Sequence, residues 1–175
     1  MSKESVHFQG RYLKMVEKDH WEYVSRSNAH AVAVIVALTD RDELVLVEQY
    51  RRPVDARVLE LPAGLVGDKG NPEEPVLEAA GRELVEETGF AAQRLELIME
   101  CPSSAGMSDE IISFVRARGL SRIGPGGGDD SEDIETHLVP LAHIDGWLRE
   151  RQAKGVLLDP KIFAGIHWLK REPRT

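Results

Sequence analysis

The sequence predicts an α/β (α+β) protein in which a mixed β-sheet is covered by helices. β-Branched apolar runs such as residues 31–38 alternate with amphipathic segments of about ten residues, the pattern of interleaved strands and helices. The chain has 175 residues, 42% hydrophobic and 30% charged, enough for one domain with a substantial core. No repeat or obvious boundary divides it, so residues 1–175 read as one domain.

Each element has a local reason. Residues 6–26 read as short strands punctuated by Gly10 and Lys18-Asp19, with residues 22–25 suited to a half-buried strand. Residues 31–38 are near-continuous and β-branched, which predicts a strand buried on both faces. Residues 39–42 form a turn, residues 44–50 the next strand, and residues 58–61 a short strand ended by Pro62-Ala63-Gly64. After a loop over residues 67–71 comes a helix, with Asn71 as its N-cap, Pro72 in its first position and Glu74 completing a capping-box pattern. Leu77, Ala80, Gly81, Leu84 and Thr88 fall on one stripe, read as its core face. Gly81 costs roughly 1 kcal/mol relative to alanine there, which predicts close approach of a neighbouring backbone. Residues 95–100 and 111–116 read as strands joined by residues 101–108, and residues 124–128 begin a mobile loop running into the acidic residues 129–133. Residues 137–141 read as a strand and residues 144–153 as a helix, and Asp159-Pro160 opens a last helix to about residue 169.

Composition excludes several function classes. The net charge of -8 argues against a duplex nucleic-acid surface, but not against a small anion held by local cations. Cys101 is the single cysteine, so an internal disulfide and a multi-cysteine zinc site are excluded. The apolar run 29–38 is interrupted by His30 and too short to span a bilayer, and Met-Ser-Lys-Glu-Ser lacks the apolar core of a signal peptide. The expected location is cytoplasmic. The six histidines show no ligand spacing, and Ser103, Ser104 and Ser108 lack the strand-to-helix elbow of a serine nucleophile.

The most informative stretch runs from Arg82 to Phe90, Arg-Glu-Leu-Val-Glu-Glu-Thr-Gly-Phe. Glu83, Glu86 and Glu87 stand three and four apart, on one face of a helix that ends at Gly89. The dipole disfavours negative charge at that end. Clustered hard oxygens there select a hard divalent cation such as magnesium. The bland alternative is a solvated acidic face with i,i+4 arginine pairs. The small Ala79 and Ala80 border the acidic arc and are expected to leave room for metal and ligand.

This stretch closely resembles the second half of the Nudix box of the Nudix hydrolases, and Glu74 falls on the box's earlier acid. The box glycine is aligned with Gly64, through a loop four residues longer than the pattern; Gly67 is the other candidate. The resemblance implies a Nudix-type α/β/α sandwich with a mixed sheet and an N-terminal β extension. It also implies Mg2+, or alternatively Mn2+, held by Glu83, Glu86, Glu87 and the carbonyl of Ala63. Glu87 counts among the catalytic groups too, and Arg82 would orient Glu86 or Glu78. A general base is implied on the late acidic loop, Glu132 first and Asp130 second.

Segments outside the box resemble the ADP-ribose pyrophosphatase branch. Glu48-Gln49-Tyr50-Arg51 matches its signature and implies Arg51, then Arg52, as contacts to the terminal phosphate. The loop over residues 102–110 resembles one that borders the sugar phosphate, implicating Ser104, Gly106 and Met107, with Glu110 adding to the acidic cluster. Residues 1–28, with Tyr12, Trp21 and Tyr23, match an extension that builds a homodimer, and Trp21 is the candidate to stack on the base. The implied activity is metal-dependent hydrolysis of a nucleoside diphosphate sugar, ADP-ribose or a related ADP- or GDP-sugar, to nucleoside monophosphate and sugar phosphate. Two rival readings are a hydrolase of nucleoside triphosphates, dinucleoside polyphosphates or RNA 5′ ends, and a non-catalytic nucleotide-sensing module.

Overall fold

The computed structural model describes residues 4–128 and 133–172. Its centre is β4 (Ala31–Ala37), an unbroken apolar strand. Alternate residues point to opposite faces, so Val34 and Val36 enter one core while Ala33, Ile35 and Ala37 enter another. The expectation of burial on both faces holds. The first core is closed by α2 (Ile144–Ala153) and α3 (Lys161–Arg171), the second by α1 (Val76–Thr88). The fold is therefore α+β, with helices on both sides of the sheet layer.

The strands form three sheets: the expected N-terminal β extension, and a mixed layer that divides into two four-stranded sheets. β1 (Glu4–Gln9), β2 (Leu13–Lys18) and β3 (Trp21–Arg26) form an antiparallel meander. A second sheet has the order β7-β4-β9-β8, with β7 (Ala63–Val66), β8 (Phe90–Pro102) and β9 (Ile111–Arg122). A third has the order β10-β5-β6-β11, with β5 (Glu43–Arg51), β6 (Ala56–Glu60), β10 (Glu135–Pro140) and β11 (Leu157–Leu158). Both four-stranded sheets are mixed, because β4 runs parallel to β9 and β11 parallel to β6. β4 and β5 share a single bridge, Leu38 to Leu44, after the Thr39–Asp42 turn and then diverge.

The largest departure from expectation is the start of α1. It begins at Val76, with Pro75 in the capping position and no side-chain cap. Proline disfavours helical backbone in the residue before it, so Glu74 cannot enter the helix, and Asn71 to Glu74 closes a turn instead. Leu77 is consequently 39% exposed, while Ala79 and Ala80 are fully buried in the core and border no open space. Gly81 faces the Leu95 side chain, 3.2 Å from where a Cβ would sit, instead of a backbone. The helix does stop at Gly89, whose φ of 72° is the left-handed turn that glycine adopts at no steric cost.

The later helices follow their sequence signals. Ile162, Gly165, Ile166 and Leu169 line the inner face of α3, and Asp159 Oδ1 accepts the Lys161 N–H at 2.7 Å. Ile144 and Leu148 bury one face of α2. Beneath α2, Glu48 is 3% exposed and accepts hydrogen bonds from Arg57 and Arg151. Burial pushes its carboxyl up, but those two guanidinium groups outweigh it and hold the group below the ordinary carboxylate range. Among the described residues, no helix is long and apolar enough to cross a membrane.

Candidate active site

β7 and the last turns of α1 build one wall of a cavity of about 440 Å³. Glu83, Glu86, Glu87, Ala63 and Arg51 all line it. Helical geometry puts the three carboxylates on one face, and the turn at Pro62-Ala63-Gly64 lays β7 against that face. Gly64 is essential to the approach. A Cβ there would lie 1.9 Å from Glu83 Cδ, so only a residue without a side chain fits beneath the carboxylate. Gly67 serves differently, adopting φ +92° and donating its N–H to Glu74 at 2.9 Å.

Glu83 and Glu86 share a donor, and Glu87 has another. Glu83 accepts from Arg82 Nη1 at 2.6 Å, Glu86 lies 3.4 Å from the same nitrogen and 3.7 Å from Lys69 Nζ, and Glu87 accepts the Ala63 N–H at 3.0 Å. Among the described residues, no three acidic or imidazole groups converge tightly enough to form a ready-made ion cage. The three carboxylates share one wall of the cavity.

The donor set nevertheless fits a hard divalent cation. It is all oxygen, and burial pushes Glu83 up to about 7 against the pull of Arg82. An acid held that way gains from any cation brought beside it. Arg82 binds Glu74, Glu83, Glu86, Asp68 and the Leu65 carbonyl. Glu78, its other expected partner, is not among them. Glu74 is held below the ordinary carboxylate range first by Arg82, and its bonds to Arg82 and Gly67 close the loop before the helix.

Cations line the same cavity. Arg51 is held by Glu60 at 2.7 Å, Arg26 by Glu110 at 2.5 Å and Lys161 by Asp159 at 2.5 Å, and all three cations line the cavity. Glu110, expected to join the acidic cluster, is thus engaged by Arg26. The cavity therefore suits a ligand with anionic groups held near a cation-binding wall.

Other sequence candidates lie elsewhere. Arg52 sits in an exposed helical turn outside the cavity lining. Ser104, Gly106 and Met107 lie on an exposed loop outside the cavity lining, which Ser103 and Glu110 of the same loop reach. Trp21 is 62% exposed and donates to the Gly106 carbonyl at 3.2 Å, bordering a separate shallow depression. Asp130 and Glu132 lie outside the described residues.

Sequence reasoning missed Arg26, Lys69 and Lys161. The Asp159-Pro160 signal placed the start of α3, but nothing local says that this helix end faces a cavity built by residues about a hundred positions earlier.

A profile of the NUDIX domain matches residues 29–158. The chain belongs to this family. A methanol dehydrogenase activator of Bacillus methanolicus is 33% identical over 93% of this chain and 88% of its own length. An ADP-ribose pyrophosphatase of Bacillus subtilis (strain 168) is 43% identical over 69% of this chain and 66% of its own length. The crystal structure of an ADP compounds hydrolase superposes with a TM-score of 0.74 at 23% identity, covering 99% of this chain and 95% of that one. The fold is thus the NUDIX fold, and Arg26 and Lys161 reach its cavity from just outside the matched span.

Proposed function

We propose that this NUDIX protein hydrolyses the diphosphate bond of a nucleoside diphosphate sugar, ADP-ribose or a related ADP- or GDP-sugar, releasing a nucleoside monophosphate and a sugar phosphate. The observation that carries the proposal is that Glu83, Glu86 and Glu87 line one cavity together with Arg26, Arg51, Lys69 and Lys161. The relatives named for ADP-ribose and ADP compounds support the substrate class.

Enzymes of this family generally use divalent metals. Magnesium, with manganese as the alternative, would be held by Glu83, Glu86, Glu87 and the Ala63 carbonyl, and would neutralise the diphosphate and acidify the attacking water. Arg51 and Lys161 would bind phosphate oxygens, and the fixed fork of the arginine suits a dianion. Gly64 lets Glu83 lie flat against β7. Glu132, or else Asp130, would take the proton from water. In this proposal residues 1–175 work as one domain in the cytoplasm. Residues 1–28 pair two copies, and the exposed Phe8, Tyr12, Leu13 and Met15 offer apolar surface for that contact.

The test is a panel of nucleoside diphosphate sugars, nucleoside triphosphates and dinucleoside polyphosphates, assayed for monophosphate or phosphate release with magnesium or manganese. Preferred turnover of an ADP- or GDP-sugar supports the proposal. Binding of those sugars without turnover of any, under either metal, rejects it in favour of a sensing module.

A further inference from the structure

The run Gly124-Pro125-Gly126-Gly127-Gly128 lies against the C-terminal end of α1. Gly127 donates its N–H to the Glu87 carbonyl at 2.8 Å, and Gly128 donates to the Glu86 carbonyl at 3.0 Å. Ile123 and Gly124 both donate to the Gly89 carbonyl, at 2.8 and 3.2 Å. From β10, the Thr136 hydroxyl donates to the Glu87 carbonyl at 3.2 Å. The chain leaving Gly128 and the chain at Thr136 are thus fastened to neighbouring points of one helix end.

At Gly126 and Gly89 the fit leaves no room for a side chain. A Cβ on Gly126 would meet the Thr88 carbonyl carbon at 2.5 Å and the Glu87 oxygen at 2.8 Å, and one on Gly89 would meet the Gly124 oxygen at 2.2 Å. Gly126, Gly127 and Gly128 have φ of +73°, +109° and +79°, a succession that L side chains rarely adopt. The loop expected to begin at these residues is hydrogen-bonded to the helix end along this stretch.

The physical reason to dock here is electrostatic. The last carbonyls of a helix lack partners within it and carry the negative end of its dipole. Glu86 and Glu87 add their own charges at the same end. N–H groups aimed at their carbonyls offset that repulsion and immobilise the peptides from which both carboxylates project.

We infer that the glycine run is a positioning clamp for Glu86 and Glu87, with Gly126 as the residue that permits its close approach. The clamp touches neither ligand nor reacting atoms, and acts through the backbone of α1. The inference rests on the proposed role of those carboxylates in holding a divalent cation.

The test compares Gly126→Ala, Thr136→Val and, as control, Gly124→Ala, whose new methyl would meet nothing within 4 Å. In folded Gly126→Ala, kcat should fall about tenfold or more and the magnesium concentration for half-maximal rate should rise about tenfold, with KM for the sugar nucleotide within about threefold. Thr136→Val should move the same quantities in the same direction by less, and it decides the matter if Gly126→Ala does not fold. Gly124→Ala should match the parent. Variants that lose thermal stability alone, with kcat and metal dependence unchanged, overturn the clamp. Manganese binding followed by titration calorimetry gives a readout without turnover. Weaker binding by the folded variants supports the clamp even if the parent hydrolyses nothing, a result that would sink the proposed activity alone, while unchanged binding overturns the clamp.

Discussion

Replacing Gly64 with alanine puts a methyl group where the Glu83 side chain already lies. The ideal Cβ falls 1.9 Å from Glu83 Cδ, 2.2 Å from Oε1 and 2.3 Å from Cγ. The backbone at Gly64 lies outside the left-handed region, so alanine is not strained there and the penalty comes from Glu83. To reach ordinary contact at 3.4 Å, Cδ must retreat about 1.5 Å. That movement breaks the 2.6 Å bond from Arg82. Overpacking and loss of a charge-assisted bond together cost about 1–3 kcal/mol. Release of a carboxyl that burial pushes up to about 7 returns part of this, so the lower half of the range is expected. At this chain length that lowers Tm by roughly 2–8 °C. The assay is a double-mutant cycle with Glu83→Ala, read by thermal and urea unfolding of metal-free protein. Glu83→Ala removes the obstructing atoms, so Gly64→Ala should cost almost nothing in that background, a coupling of about 1–2 kcal/mol. Gly67→Ala should behave differently: its cost comes from φ +92° and His30 Nδ1 at 2.9 Å, and should persist without Glu83. Equal costs for Gly64→Ala in both backgrounds would refute the reasoning.

Four further outcomes are expected. Glu87→Gln keeps an oxygen to accept the Ala63 N–H, so it should fold normally yet lose about a hundredfold or more of its metal-dependent turnover; near-parental turnover would contradict its role. Lys161→Met should raise KM for a sugar nucleotide roughly tenfold with kcat within about threefold, and an unchanged KM would remove Lys161 from the binding site. Chelation should abolish turnover and magnesium or manganese restore it; hydrolysis that persists in excess chelator would count against the metal assignment. His137 is held below its ordinary value of 6.5, first by burial and also by Arg151, against the opposing pull of Glu135 and Glu48. Its contribution to stability is therefore fully present above 6.5 and lost as pH falls from there toward the lowered folded-state value. His137→Phe should flatten the fall in Tm below pH 6.5, and parallel Tm–pH curves for the two proteins would refute this.

Legibility in the sequence followed distance along the chain. The double burial of β4 was readable because β-branched apolar residues at every position leave no face for water. The carboxylate face of α1 was readable because spacings of three and four suffice to define it. The start of α1 was misread from a good local signal. Asn71, Pro72 and Glu74 form a capping pattern, but Pro75 bars Glu74 from helical backbone, and its carboxylate serves Gly67 and Arg82 instead. Ala79 and Ala80 were read as spacers beside a ligand because smallness permits either open room or close packing, and only the packed neighbours distinguish the two.

By itself the sequence determined the type of chemistry: an oxygen-rich helix end, its glycine stop and the arginine on β5, all set by backbone geometry over a few residues. The tertiary structure alone decided the company those groups keep. It brought Arg26 and Lys161 into the cavity the acids line, set Lys69 beside Glu86, moved Arg52 and Met107 away, and seated the glycine run on the end of α1. The physical reason is that helix rise and rotation are constant along any chain, whereas the placement of a distant segment is the sum of many weak contacts between sheets and helices, and no short window of residues contains that sum.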